Sequence, residues 1–308
     1  MIDLINVSKV YPNGTQVLKN INLHVDAGEI LILVGPSGCG KTTTMKMINA
    51  LLTPTSGEVR INGENINKFD PVELRRNIGY VIQSIGLFPH MTIGENVAAV
   101  LKLKGEPEDV CRHRAEELLN LVGLPPEIYL NRYPRQLSGG QQQRVGVARA
   151  LAANPDIILM DEPFGALDPL TRESLQDELL KLQKSMRKSI VFVTHDMDEA
   201  IKLGDRIAIL KDGEVLQVDT PENLMSNPAH GFVETFLGSR RLVYQPERIS
   251  VREMMLPNPV VCQGNLTLER ALQRMQQNVV DSLLVVDCEH KLKGIVTALD
   301  IHRKLAEA

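Results

Sequence analysis

Three stretches of the chain are apolar almost without interruption and no longer than a strand: ILILVG (30–35), DIILMDE (156–162) and SIVFVTHD (189–196). Each ends in polar or small residues. A strand covered by helices on both faces reads as a continuous apolar run rather than an alternating one, so these segments predict a parallel α/β sheet. In open sheets of that kind, ligand-binding residues lie just past the strand ends. Residues 1 to about 29 read as short strands joined by turns, with a turn signal at Pro12-Asn13-Gly14. Between Gln83 and Leu137 the period becomes helical, as in RHRAEELLNLVGL (112–124), which predicts a helical insertion into the sheet domain. The polar segment SRRLVYQPERIS follows Gly238 and carries Pro246. The expected organisation is a domain over 1–237, a linker over 238–250, and a small strand–helix–strand–strand–helix module over 251–308.

No apolar run approaches the roughly 18 residues of a spanning helix. The chain is therefore expected not to cross a bilayer, and any pore it served would be formed by other chains. The start, MIDLINVSKVY, lacks a basic region followed by an apolar core and does not read as a signal peptide. At 308 residues the chain is too long for one compact core. Its formal net charge of -4 gives no reason to expect nucleic acid as a partner, and the absence of a long polybasic block does not favour lipid. Cys39, Cys111, Cys262 and Cys288 form no Cys-x-x-Cys pair. Reduced thiols in a cytosolic protein fit that pattern.

The first buried strand runs into Gly35-Pro-Ser37-Gly38-Cys39-Gly40-Lys41-Thr42-Thr43, a full match to the phosphate-loop pattern. Glycines let backbone N–H groups turn onto phosphates, and a helix starting near Lys41 points its positive end at the same anion. Lys41 is expected on the β- and γ-phosphates and the Thr42 hydroxyl on Mg²⁺. Cys39 lies inside this loop and offers a route to inactivation by alkylation. The second run ends in Asp161 and Glu162. An aspartate at a strand end can hold Mg²⁺ through its water shell, and the adjoining glutamate can orient an attacking water. Taken alone, the same pair also fits a solvated turn. In Leu137-Ser138-Gly139-Gly140-Gln141, the Ser138 to Gln141 spacing is that of a capping box. A helix is expected to begin there, either as a second anion site or as a simple cap.

With that segment the chain resembles the ATP-binding-cassette (ABC) ATPases over about residues 1–237. The resemblance implies an α/β phosphate-loop ATPase with a mixed sheet core and a helical insertion. Tyr11 resembles the aromatic residue that stacks on adenine. Gly35 to Thr43 match the phosphate loop, and Gln83, in YVIQSIGLFPH, matches the glutamine that touches Mg²⁺ and reports to the membrane subunits. Ser138 to Gln141 match the signature, which in the family closes on ATP held by another subunit. Asp161 and Glu162 match the metal ligand, acting through water, and the catalytic base. Ala166-Leu167-Asp168 match the loop that crosses the dimer, and His195 matches the switch histidine at the γ-phosphate. ATP and Mg²⁺ are the implied cofactors, and a second copy of the chain completes an ATP sandwich.

The tail resembles a single CBS motif, through SLLVV (282–286) and GIVTALDI (294–301). In that family the units pair around a nucleotide cleft, and Thr297 and Asp300 match positions that contact ribose and phosphate. One copy alone leaves a dimerisation or docking module as the other reading. A cassette followed by CBS is the arrangement of osmoprotectant importers for glycine betaine, carnitine or choline. QSIGLFPHMTIGENVA and NRYPRQLSGGQQQRVGVARALA also look like that group. The implied partners are two transmembrane permease subunits and a separate substrate-binding protein, with the chain peripheral on the cytoplasmic face of the membrane. The alternatives are an importer ATPase for another small solute, such as an amino acid or polyamine, a soluble ABC protein of DNA repair or translation, and a nucleotide sensor without turnover.

Overall fold

The computed structural model describes residues 1–83, 86–165, 167–238, 255 and 258–306. The linker expected beyond Gly238, Ala166 of the loop expected to cross the dimer, and the first residues of the tail module lie outside the described residues. The chain divides into two compact units, Met1–Gln245 and Pro246–Ala308.

The first unit is built on a six-stranded sheet of β3 (Ile30–Val34), β6 (Ile78–Val81), β7 (Ile157–Asp161), β8 (Ser189–Thr194), β9 (Arg206–Lys211) and β10 (Glu214–Asp219), in the order β10-β9-β3-β8-β7-β6. All neighbours are parallel except β10, which returns antiparallel along β9. Every residue of β3, β7 and β8 is buried. Alternate side chains nevertheless go to different places. Ile30, Ile32 and Val34 join one core with the helical insertion, whereas Leu31 and Leu33 join a second core under the N-terminal sheet. Both faces being apolar, that period of two is hidden in the sequence. The register pairs Val34 with Thr194, and Asp161 with Val193. Gly35, Glu162 and His195, the next residues along each strand, therefore leave the sheet at the same edge.

The N-terminal sheet is antiparallel, with order β2-β1-β4-β5, from β1 (Ile2–Val10), β2 (Gln16–Val25), β4 (Ser56–Ile61) and β5 (Glu64–Asn65). Its first two strands, 9 and 10 residues long, replace the short strands expected there. Register shifts interrupt their pairing around Val7 and Lys9, and Asn6 and Asn20 sit at φ 50° and 51°. Asparagine tolerates that left-handed geometry better than most residues. These irregularities break the apolar alternation by which a long strand is recognised.

The helical insertion forms as α3 (Ile93–Leu103), α4 (Glu108–Leu121) and α5 (Pro126–Tyr129). Helix α3 starts in a full capping box between Thr92 and Glu95. Among the described residues the remaining α-helices of the unit are α1 (Lys41–Ile48), α2 (Pro71–Arg76), α6 (Gly139–Leu151), α7 (Pro169–Met186), α8 (Met197–Leu203), α9 (Pro221–Ser226) and α10 (Gly231–Leu237). Among the described residues no helix is long and apolar enough to cross a membrane.

The second unit has the expected order: β11 (Val261–Gln263), α11 (Leu268–Asn278), β12 (Ser282–Val286), β13 (Leu292–Thr297) and α12 (Ala298–Ala306). Strand β12 is central, parallel to β11 and antiparallel to β13. Cys262, Ala271, Met275, Leu283 and Ile301 form its small core.

Candidate functional site

The loop between β3 and α1 is held from below. A Cβ on Gly35 would fall 2.1 Å from the Leu210 carbonyl oxygen of β9, so only glycine fits there. A Cβ on Gly40 would press on Leu18 at 2.4 Å, which places the start of β2, the strand that follows the turn carrying Tyr11, against the loop. The predicted turn closes through the Gly14 amide, which donates to the Tyr11 carbonyl (2.9 Å). Lys9 lies over the Tyr11 ring, 5.7 Å from its centroid. Ser37 and Gly38 face solvent. Lys41 is buried, and its ammonium donates to the Gly35 and Pro36 carbonyls at 2.7 and 2.9 Å, inside the curl of its own loop. Helix α1 begins at Lys41 with Gly40 as a cap that supplies no side chain, so the first amides of the helix lack a side-chain acceptor at the cap.

Cys39 corrects one expectation. Its side chain is 4% exposed, and burial pushes the thiol up, against the opposing pull of Lys41. A buried thiol held in its protonated form is a poor nucleophile, so alkylation is not the ready route to inactivation that the sequence suggested.

The Thr42 hydroxyl donates to Asp161 Oδ1 at 3.2 Å, joining the loop to the end of β7. Asp161 is 2% exposed, and burial raises its carboxyl above the usual range, with the Thr42 hydrogen bond acting the other way. Glu162 follows with φ at +49°, a left-handed backbone. Such a residue persists only where its surroundings over-determine it, and this occurs most often at functional sites. The turn aims its carboxylate between two groups: Gln83 Nε2 donates to Oε2 at 3.3 Å, and His195 Nδ1 lies 3.4 Å from Oε1. Five sequence-predicted residues, Thr42, Gln83, Asp161, Glu162 and His195, are thereby linked in one constellation. The contact of Gln83 with Glu162 adds to the role that the sequence implied for Gln83, which concerned only the metal and the membrane subunits.

The signature segment folds as its spacing predicts. Ser138 caps α6, its amide donating to Gln141 Oε1 (2.9 Å) and its hydroxyl accepting from the Gln141 amide (3.3 Å). Gln141 also donates to the Tyr129 hydroxyl at 3.1 Å, tying the cap to the helical insertion. Ser138 and Gly139 face solvent, with Gly140 and Gln141 half-buried behind them. Asp168 is exposed and caps α7 by accepting from the Thr171 amide at 3.0 Å; hydrogen bonds from Thr171 hold its carboxyl below the usual range. In the second unit Thr297 and Asp300 satisfy one another: the Thr297 hydroxyl donates to Asp300 Oδ2 (2.6 Å) and accepts from the Asp300 amide (3.1 Å).

Sequence reasoning missed two residues here. Gln143, on α6, donates to the Glu162 carbonyl at 3.0 Å. Arg149, further along the same helix, donates to the Gly86 carbonyl at 2.7 Å and lies over Phe88, bracing the segment that follows Gln83. The only signal for either was its place on the helix that opens with Ser138.

The arrangement offers an anion cradle, a buried carboxylate beside a hydroxyl, and a second carboxylate set against an amide and an imidazole. That is the equipment for phosphoryl transfer to water. Residues 18–165 match the ABC transporter family model, and residues 251–307 match the CBS domain model. The chain is 58% identical over 309 residues to the glycine betaine/carnitine/choline transport ATP-binding protein OpuCA of Bacillus subtilis (strain 168), covering 99% of this chain and 81% of that protein. It is also 58% identical over 298 residues to the choline transport ATP-binding protein OpuBA of the same organism, covering 96% of this chain and 78% of that protein. Among solved structures, a dimeric post-hydrolysis state of the ATP-binding cassette MJ0796, bound to ADP and Pi, superposes with a TM-score of 0.68 at 44% identity, covering 72% of this chain and 99% of that one. The chain belongs to the ATP-binding subunits of ABC transporters, ATPases coupled to membrane transport, and carries a CBS domain behind its cassette.

Proposed function

We propose that this ATPase drives the import of small quaternary amines: glycine betaine, carnitine or choline. The observation that carries the reading is the 58% identity, sustained over both the cassette and the tail, to proteins named for those solutes. It favours this class over amino-acid or polyamine importers and over the soluble proteins of repair or translation. The chain has no tryptophan and few aromatics, so an aromatic cage for the cation belongs to a separate substrate-binding protein.

Lys41 and the loop amides hold the β- and γ-phosphates of ATP, with Tyr11 stacked on adenine. A magnesium ion fits the residues at the site. Thr42 Oγ1 and Asp161 Oδ1 face each other, and among the described residues no group of three His, Cys, Asp or Glu forms a metal cage. A hard cation that keeps its waters and takes phosphate oxygens suits two such protein oxygens, with Gln83 held on the adjoining Glu162. When bound, the ion neutralises charge on the phosphates. Glu162 then orients and polarises the attacking water as the base, and His195 donates toward the γ-phosphate. Ser138 to Gln141 of a second copy complete the site, with Asp168 at the crossing loop. The dimeric state of the related cassette supports that arrangement.

Two permease subunits anchor the chain at the cytoplasmic face of the membrane. A 270 Å³ cleft lined by Asn49, Leu51, Arg75, Arg76, Val100 and Arg149 supports docking of a partly apolar, acidic segment there, and Arg149 links it to the loop after Gln83. In the tail, the closed pair of Thr297 and Asp300 favours a docking role over nucleotide binding.

The test is uptake of labelled glycine betaine, carnitine and choline in cells lacking their own importers and supplied with this chain and its partner subunits. Uptake that requires Glu162, shown by loss in Glu162→Gln, is the expected result. ATPase activity without uptake of any of the three would refute the substrate class.

A further inference from the structure

Glu162 holds its carboxylate in place from a backbone conformation that most side chains avoid. A non-glycine residue in the left-handed region is strained and stays there only when fixed by its neighbours. Three hydrogen bonds fix this one. Its amide donates to the Val193 carbonyl (3.0 Å), and its own carbonyl accepts from the Gly165 amide (3.3 Å) and from Gln143 Nε2 (3.0 Å). The first two come from the adjoining strand and the turn itself. The third is a side chain from another element, 6% exposed and seated against the core.

Gln143 lies five residues after Ser138 on α6. At 3.6 residues per turn, that separation is about 7.5 Å along the axis and roughly 140° around it. One helix therefore presents its capped end to solvent on one side, and on the other grips the peptide that aims the catalytic carboxylate.

We propose that Gln143 is a positioning residue for Glu162: its amide keeps the Glu162 peptide in the left-handed turn, and so keeps the carboxylate between Gln83 and His195. The inference rests on the reading of Glu162 as the base. It has a further consequence. Ser138 engages the nucleotide of a second copy, while Gln143 of the same helix sets the base of its own copy. Strain at the signature end thus reaches the other ATP site of the dimer through a single rigid element.

The test uses the full chain and the variant Gln143→Met, which keeps length and apolar packing but has no donor. Gln143→Glu is a second variant, which keeps shape and replaces the donor by an oxygen. Both should lower the maximal ATPase rate by about tenfold, the rate equivalent of one lost hydrogen bond to a part-buried carbonyl. Binding of a fluorescent ATP analogue should stay within about twofold. The decisive arm adds Gln143→Met to Glu162→Gln and follows ATP-driven dimerisation by size-exclusion chromatography. If Gln143 acts through the Glu162 carboxylate, the double variant accumulates as closed dimer as fully as Glu162→Gln alone, and its residual turnover is no lower. An unchanged rate in both single variants would overturn the proposal. So would loss of the closed dimer in the double variant, which would mean that the substitution damages the signature helix itself. Normal turnover by Glu162→Gln would instead remove the base assignment, and this inference with it.

Discussion

Gly35 and Gly38 occupy the same phosphate loop and should respond very differently to one added methyl group. In Gly35→Ala the new Cβ would stand 2.1 Å from the Leu210 carbonyl oxygen and 3.0 Å from Cys39 Sγ. Close C···O contacts run about 3.3–3.6 Å, so the overlap exceeds an ångström. Leu210 lies in β9 and pairs with Val215 of β10, so its carbonyl belongs to the sheet and cannot rotate away. Relief requires the loop to lift off the strand. Overpacking of that kind costs about 1–3 kcal/mol, and backbone strain at φ +155° adds about 1 kcal/mol. Gly38 has a φ of +81°, and a methyl group added there would meet nothing within 4 Å. Gly38→Ala should therefore lose only the left-handed penalty of about 1–2 kcal/mol. The chain has no tryptophan, so urea unfolding is best followed by far-ultraviolet circular dichroism. Gly35→Ala should unfold at clearly lower urea, with a gap of about 2 kcal/mol from Gly38→Ala, and should bind ATP at least tenfold more weakly because the amide cradle has moved. Equal midpoints would refute the argument, since they would show that the loop is not held against β9.

In the metal- and nucleotide-free chain, Asp161 should weaken the fold at neutral pH. Burial raises its folded pKa, so the folded state keeps the proton to higher pH than the unfolded chain. Stability is therefore lost as pH rises from the ordinary carboxylate range through that raised value; Asp161→Asn should remove this slope, melt higher than the parent at pH 7, and bind Mg-ATP more weakly, as calorimetry at several pH values can show. Cys39 should react with iodoacetamide far more slowly than exposed Cys288, so peptide mass spectrometry after brief labelling should find the label on Cys288 and ATPase activity intact. Thr297→Ala removes the acceptor for the Asp300 amide at the start of α12 and should destabilise the tail unit by about 1 kcal/mol, read by urea unfolding, without altering the ATPase rate.

What is legible in the sequence is whatever local chemistry enforces. Ser138 and Gln141 announce a helix start because a short hydroxyl and a longer amide side chain each satisfy the other's end amide, and the structure forms both bonds. The buried strands announce themselves because a strand covered on both faces has no polar position to spare. The N-terminal strands look shorter in the sequence than they are because Asn6 and Asn20 interrupt the alternation at left-handed positions. Beyond its place on α6, Gln143 carries no local signal. Its partner is a main-chain carbonyl 19 residues away, and a carbonyl has no sequence identity. The burial of Cys39 is equally hidden, because it depends on β9 lying beneath the loop.

Two unfavourable features of the fold fall at consecutive residues. Asp161 is a carboxyl denied solvent, and Glu162 is a glutamate in a left-handed turn. Either would be an odd choice at the end of a well-packed strand if stability were the only demand. Flanking them are Met160 and Leu159, which are wholly buried, and β8, whose register holds Val193 against Asp161. The surrounding core is thus rigid enough to hold two strained groups in place without ligand. A ligand that supplies a cation to Asp161 and a reacting phosphate to Glu162 relieves the first and uses the second. Its binding energy therefore appears as added stability of the folded chain.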